Sequence, residues 1–140
     1  LGDIMARNTF YEADKQYYNT IRLVSGNTLP ELNITLRDSN TAAPGATLDE
    51  SDPTTWRVID LTSVSTVNMN FRKIGSTTIH ETLPCTPVSP LTNGEVIMQW
   101  TTSSLTGVAG EYEGEIVITY SSGKIITVRD LLKFDIRAGF

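Results

Sequence analysis

Hydrophobic and polar residues alternate with a period of two in short runs along most of this 140-residue chain. The clearest run is Gly110 to Tyr120. Tyr112, Gly114, Ile116, Ile118 and Tyr120 fall on one face, and Glu111, Glu113, Glu115, Val117 and Thr119 on the other. Such spacing marks a strand half-buried against a core. Ser121-Ser122-Gly123 follows, and a glycine there supplies the positive φ that tight hairpins require. Lys124 to Val128 then returns as a β-branched partner strand.

The same alternation places the other elements. Ile21 and Leu23 share one side of a strand over Thr20 to Ser25, which Gly26-Asn27 ends. Leu32, Ile34 and Leu36 alternate with Asn33, Thr35 and Arg37 in a second strand. Asp38-Ser39-Asn40 reads as a turn, and Ala43-Pro44-Gly45 through Pro53 as a loop. Trp56 to Leu61 is extended. Val67, Met69 and Phe71 form one face of a further strand, which Gly75-Ser76 turns back into Thr77 to Leu83. Pro84, Pro87 and Pro90 are spaced too closely for a central strand, so that stretch is expected at an edge or in a loop. Asn93-Gly94 is a turn. Val96, Met98 and Trp100 face inward together, Thr101 to Gly107 is a loop of small residues, and Leu132, Phe134 and Ile136 close the series. Short strands separated by turns point to an all-β fold, an antiparallel sandwich with Trp100 and Tyr112 as core anchors.

The first nineteen residues break this pattern. Asn8 to Asn19 is polar yet carries Phe10, Tyr11, Tyr17 and Tyr18, without strict alternation or a helical stripe. A short helix from Thr9, as cap, to Lys15 fits locally, and Tyr17 and Tyr18 could equally begin the first strand. The segment reads as an arm, residues 1–19, outside the sandwich of residues 20–140. Aromatic rings on such a segment are costly to expose to water and favoured at interfaces. Phe10, Tyr11, Tyr17, Tyr18 and the terminal Phe140 are therefore the candidate contacts with a neighbouring chain, or the arm rings fold back over their own sandwich. Leu1 to Ile4 precede Met5, consistent with a natural start at Met5 or with a processed product.

Charge removes several function classes. A formal net charge of −5, with 11 scattered Lys and Arg residues, is wrong for phosphate-backbone binding and for an anionic membrane surface. No apolar run approaches the ~18 residues that span a bilayer. Cys85 is the only cysteine, which excludes an internal disulfide and a thiolate metal cluster.

Catalytic and metal-binding signals are weak. His80, the only histidine, lies on an expected surface strand with no nucleophile or orienting acid in its motif. Asp49-Glu50-Ser51-Asp52 offers oxygen ligands but lacks calcium-loop spacing, and reads as a solvated loop. Glu111, Glu113 and Glu115 form a like-charged row on one strand, which reads as a solubilising face or, alternatively, as a surface matched to a basic patch on a neighbour. Cys85 has no activating partner nearby in sequence. No catalytic, cofactor-binding or metal-binding residue is assigned, and no cofactor is expected.

Leu32-x-Ile34-x-Leu36-x-Asp38, then Asp60-Leu61-Thr62, then Val67 to Arg72, resembles the N-terminal domain of phage baseplate upper proteins. The similarity continues through Trp100, Thr101 to Leu105, Gly110-Glu111-Tyr112, Glu115 and the Ser-Gly turn, covering roughly Ile21 to Ile136. The stretch from Ala46 to Arg57 and the aromatic arm depart from that pattern. The resemblance implies an immunoglobulin-like sandwich serving as a structural, non-enzymatic protein of a tailed-phage virion: a baseplate or fibre adaptor, or a capsid decoration. Its expected partners are other virion proteins and its own copies, as a homo-oligomer, with no nucleic acid and no membrane. The alternative is an adhesion or carbohydrate-binding module in which Trp56, Tyr112 or Tyr120 stacks on sugar rings. Assembly would use buried arm surface and an exposed strand edge, for example Leu132 to Ile136.

Overall fold

A computed structural model describes residues 20–29, 31–128 and 131–140. The arm, with Phe10, Tyr11, Tyr17 and Tyr18, lies outside the described residues. The described chain forms the expected immunoglobulin-like sandwich, and strands make up nearly all of its regular structure. Its strands are β1 (Ile21–Val24), β2 (Leu32–Thr35), β3 (Arg37–Ala42), β4 (Trp56–Val58), β5 (Val64–Lys73), β6 (Glu81–Pro87), β7 (Glu95–Met98), β8 (Gly110–Tyr120), β9 (Ile125–Thr127) and β10 (Leu132–Arg137).

The strands are arranged in the order β1-β10-β8-β5-β6-β7-β2, with β9 beside β8 and β3–β4 as a separate ribbon. Strand β6 belongs to both layers. Its first half, through Pro84, pairs with β5, and Cys85 to Pro87 pairs with β7. The larger sheet is thus β1, β10, β8, β9, β5 and the start of β6. The shorter sheet is the end of β6, β7 and β2. All pairings are antiparallel except that of β1 with β10, which is parallel.

Two expectations are corrected by this order. The stretch that holds Pro84 and Pro87 is a central strand, not an edge, while Pro90 lies in the loop after it, as expected. Pro84 pairs with Asn68 of β5 one residue before the β7 ladder begins at Cys85, and Pro87 pairs with Val96 of β7 alone. Each proline therefore has a ladder on one side only, and its missing N–H leaves no gap. Likewise Leu132 to Ile136 is no edge, because β10 lies between β1 and β8. A smaller correction is Asp38-Ser39-Asn40, which lies within β3. The Asn40 N–H donates to Asp38 Oδ1 at 2.9 Å, and the β3–β4 register slips between Asp38 and Ala42.

The core is continuous between the layers. Phe71 of β5 stacks on Tyr112 of β8 at 4.9 Å and meets Trp100 and Phe134 edge-on, each at 5.3 Å. Leu32, Ile34, Val96 and Met98 of the shorter sheet join the same buried cluster. Trp100 and Tyr112 are core anchors, as expected, with Phe71 between them. Gly114 lets β8 approach Met69: a Cβ there would meet Met69 Sδ at 2.6 Å and Phe134 at 3.2 Å.

Candidate functional site

The two outer faces of the sandwich differ in chemistry. On the larger sheet, register sets charge against charge. Glu113 stands directly opposite Arg72 of β5 and Lys133 of β10. Arg72 Nε donates to Glu113 Oε2 at 2.8 Å, and Lys133 Nζ to Oε1 at 3.4 Å. These two long side chains cover the carboxylate, so Glu113 is only 8% exposed although it points outward. In the next row Arg22 lies beside Asp135, and Asp135 opposite Glu111. In the row on the other side Glu115 faces Asn70, which accepts from Thr82 Oγ1 at 2.8 Å. The glutamates are therefore not an isolated like-charged row. They are one column of a charge mosaic whose cations come from β1, β5 and β10. A groove of about 350 Å³ opens on this face, lined by Thr20, Arg22, Ile74, Glu111, Lys133, Phe134 and Asp135.

The shorter sheet carries fewer charges on its outer face, where exposed Glu95 of β7 stands opposite Thr35 of β2. Its central outward row is Asn33, Ile97 and Thr86, one residue from each strand. The inward rows are Leu32, Met98 and Cys85, then Ile34, Val96 and Pro87. Among the described residues β2 pairs with β7 alone. The Leu36 N–H donates to the Gly94 carbonyl at 2.8 Å, which carries the β7-side ladder one step past Ile34. Main-chain groups alternate sides along an antiparallel strand, so Ile34 aims its groups at β7, while the Leu36 carbonyl accepts from the Ile59 N–H at 2.9 Å. Asn33 and Thr35 aim theirs at the open edge.

Most of the groups with catalytic potential are engaged by the fold, although His80 is exposed. His80 directly precedes β6; its ring meets Phe71 edge-on at 5.9 Å and Tyr112 at 6.1 Å, and Nε2 lies 3.3 Å from the Ser104 carbonyl. Cys85 is buried, and burial pushes its thiol up to about 12. Asp49 accepts from the Ser51 hydroxyl and N–H, at 2.7 and 2.9 Å, which lowers its pKa. Asp52 caps the short 3-10 turn Pro53–Thr55 through Thr54, so Asp49 and Asp52 each turn one oxygen, Oδ1, to a hydroxyl and an N–H of their own loop. Asp60 is lowered in the same way by Thr62. Burial raises the pKa of Tyr120, and the charges of Asp38 and Asp60 add to the shift. Among the described residues no group of three or more His, Cys, Asp or Glu side chains is placed to hold a metal ion.

The rings considered for sugar stacking are mostly inside. Trp56 is 1% exposed and Tyr112 8%, so neither presents a face to solvent; Tyr120 is half-buried. Phe140, the one candidate contact residue among the described residues, is exposed, with the Arg137 guanidinium 5.2 Å from its ring centre.

No protein-family model matches this chain, and no curated protein matches its sequence. Among solved structures it is similar to the crystal structure of CopC from Methylosinus trichosporium OB3b. The two are 7% identical at a TM-score of 0.48, and the match covers 96% of this chain and 97% of that one.

Proposed function

We propose that this chain is a non-enzymatic assembly module that works through protein–protein contacts with its own copies and with neighbouring proteins. The setting is the one its sequence resemblance implies, the particle of a tailed phage. The observation that carries the reading is where the reactive groups are spent. His80 packs against Phe71 and Tyr112, the Cys85 thiol is in the core, and the carboxylates of Asp49, Asp52 and Asp60 accept from their own turns. Surface, not chemistry, is what this fold offers: a charge-matched broad face, a short face whose central row is uncharged and an exposed Phe140. The arm aromatics Phe10, Tyr11, Tyr17 and Tyr18 supply a second set of contacts in this reading.

Light scattering over a wide concentration range tests it. The full chain is compared with a version carrying serine at positions 10, 11, 17 and 18. A mass that rises above 15.4 kDa with concentration, and less steeply in the serine version, supports assembly through the arm. Turnover of glycans, esters or peptides by the unmodified chain overturns the non-enzymatic reading.

A further inference from the structure

We infer that Asn93 is a latent modification site: its side-chain amide is lost by deamidation through the Gly94 nitrogen, and a clamp on Gly94 gates the reaction. This goes beyond the assembly reading and does not depend on it. Asn93-Gly94 is the one Asn-Gly pair in the chain. A glycine after asparagine leaves the main-chain nitrogen sterically open to attack the side-chain carbonyl, and the backbone free to turn into position. Here no other residue can take the glycine's place. Gly94 has φ of 68° and ψ of 20°, and a Cβ on it would meet the Leu36 carbonyl at 2.8 Å and the Ile59 carbonyl at 2.9 Å. The fold therefore demands the residue that makes Asn93 reactive. Asn93 itself is exposed at the end of the 3-10 turn Leu91–Asn93, and its side chain takes no hydrogen bond among the described residues.

The step needs no co-reactant but water. The Gly94 nitrogen bonds to Asn93 Cγ, the Cγ–Nδ2 bond breaks, and Nδ2 leaves as ammonia with the proton of the Gly94 N–H. Water then opens the cyclic imide at either carbonyl. One opening gives aspartate; the other gives isoaspartate, with the main chain routed through Cβ. Native geometry opposes the first bond. A 3-10 residue has ψ of about −20 to −30°, whereas ring closure needs the Gly94 nitrogen swung about the Cα–C bond to the Cβ side. That swing carries Gly94 with it, and Gly94 is held, because its carbonyl accepts from the Leu36 N–H at 2.8 Å. The Leu36 carbonyl accepts from Ile59, and the Leu91 carbonyl from Leu61, each at 2.9 Å. Neighbouring segments thus grip the turn on both sides of Asn93, and closure requires that they let go. Isoaspartate inserts a main-chain carbon beside a closely packed glycine. The Leu36 bond is then not regained, and the join between β2 and β7 loosens.

Peptide mapping of the full chain, aged at mildly alkaline pH with and without denaturing urea, tests the site and the clamp. In urea, isoaspartate is expected first at position 93; first appearance at another asparagine overturns the assignment. In the folded chain, conversion at position 93 is expected to be at least about tenfold slower, since it proceeds through a minor open state. Equal rates in the two states overturn the clamp. Below the unfolding transition, added urea should raise the conversion rate together with the exchange rate of the Leu36 amide. Conversion that speeds up while Leu36 stays protected overturns the clamp as well. Chain aged in urea and then refolded tests the product. Its isoaspartate form is expected to unfold at lower urea than Asn93→Asp, which gains the charge but keeps the normal main chain. Equal midpoints overturn the loosening.

Discussion

The broad outer sheet and the short one bury their inner faces in the same core, yet they treat their outer faces oppositely. On the broad sheet, Arg72, Lys133 and Arg22 stand opposite or beside Glu113 and Asp135, so its charge is largely answered within the chain. On the short sheet, Asn33, Ile97 and Thr86 form an uncharged row that ends at the open edge of β2. The contrast teaches that charge count alone does not locate a binding surface. A densely charged face can be self-satisfied and resist edge pairing, whereas a plain uncharged row leaves main-chain groups for a partner.

The most damaging break in this picture is at the shared core. Phe71→Ala removes the ring between Tyr112, Trp100 and Phe134, and urea unfolding should show a loss of about 3–5 kcal/mol. Ile97→Ala, on the outer face of the short sheet, should change stability by less than about 1 kcal/mol. Similar losses at the two positions would mean that the short sheet's outer face is covered.

Alkali should strike next, where β6 passes from one sheet to the other. Folding raises the Cys85 thiol from 9.0 to about 12. The unfolded chain therefore loses its proton first; stability is complete below pH 9 and declines as pH rises toward 12. By about pH 11 the loss should be on the order of 2–3 kcal/mol. Cys85→Ala should flatten that decline, leaving a smaller one above pH 10 from Tyr120, whose raised pKa acts in the same direction.

Glu113→Gln sharpens the comparison at the charged face. It leaves Arg72 and Lys133 facing each other across β8, and should cost about 1 kcal/mol, less in high salt, since both cations are nearly half exposed. A salt-independent loss would point to hydrogen-bond geometry instead. The smallest effect belongs to the loops. Asp49 and Asp60 have lowered pKa values, so their contribution is present above the usual carboxylate value of 3.8 and fades as pH falls below it. Asp60→Asn should slightly blunt the acid end of the stability profile.

Much of the fold is legible in the sequence because one-residue alternation survives in the structure. β8 buries Tyr112, Gly114, Ile116 and Ile118, and β10 buries Leu132, Phe134 and Ile136. Local pattern does not encode which strands become neighbours. Pro84 and Pro87 look unfit for a central strand because their one-sided pairing depends on where β6 changes partners. Leu132 to Ile136 looks like an available edge because nothing near it in sequence announces β1. The glutamate row looks like-charged because Arg72 and Lys133 are 41 and 20 residues away from Glu113. Trp56 and Tyr112 resemble sugar platforms for the same reason: a ring's exposure is set by distant layers. The open edge of β2 is equally hidden, although alternation does place Asn33 and Thr35 together on its outer face.

Amide hydrogen exchange of the full chain, measured as a function of concentration, is the most direct test of the proposed assembly through surface contacts. In dilute solution the Ile34 and Leu36 amides, aimed at β7 and Gly94, should be protected, while those of Asn33 and Thr35 exchange freely. As concentration rises, amides at the contact between copies should gain protection. Exchange that stays unchanged at every amide up to about millimolar concentration would contradict the account.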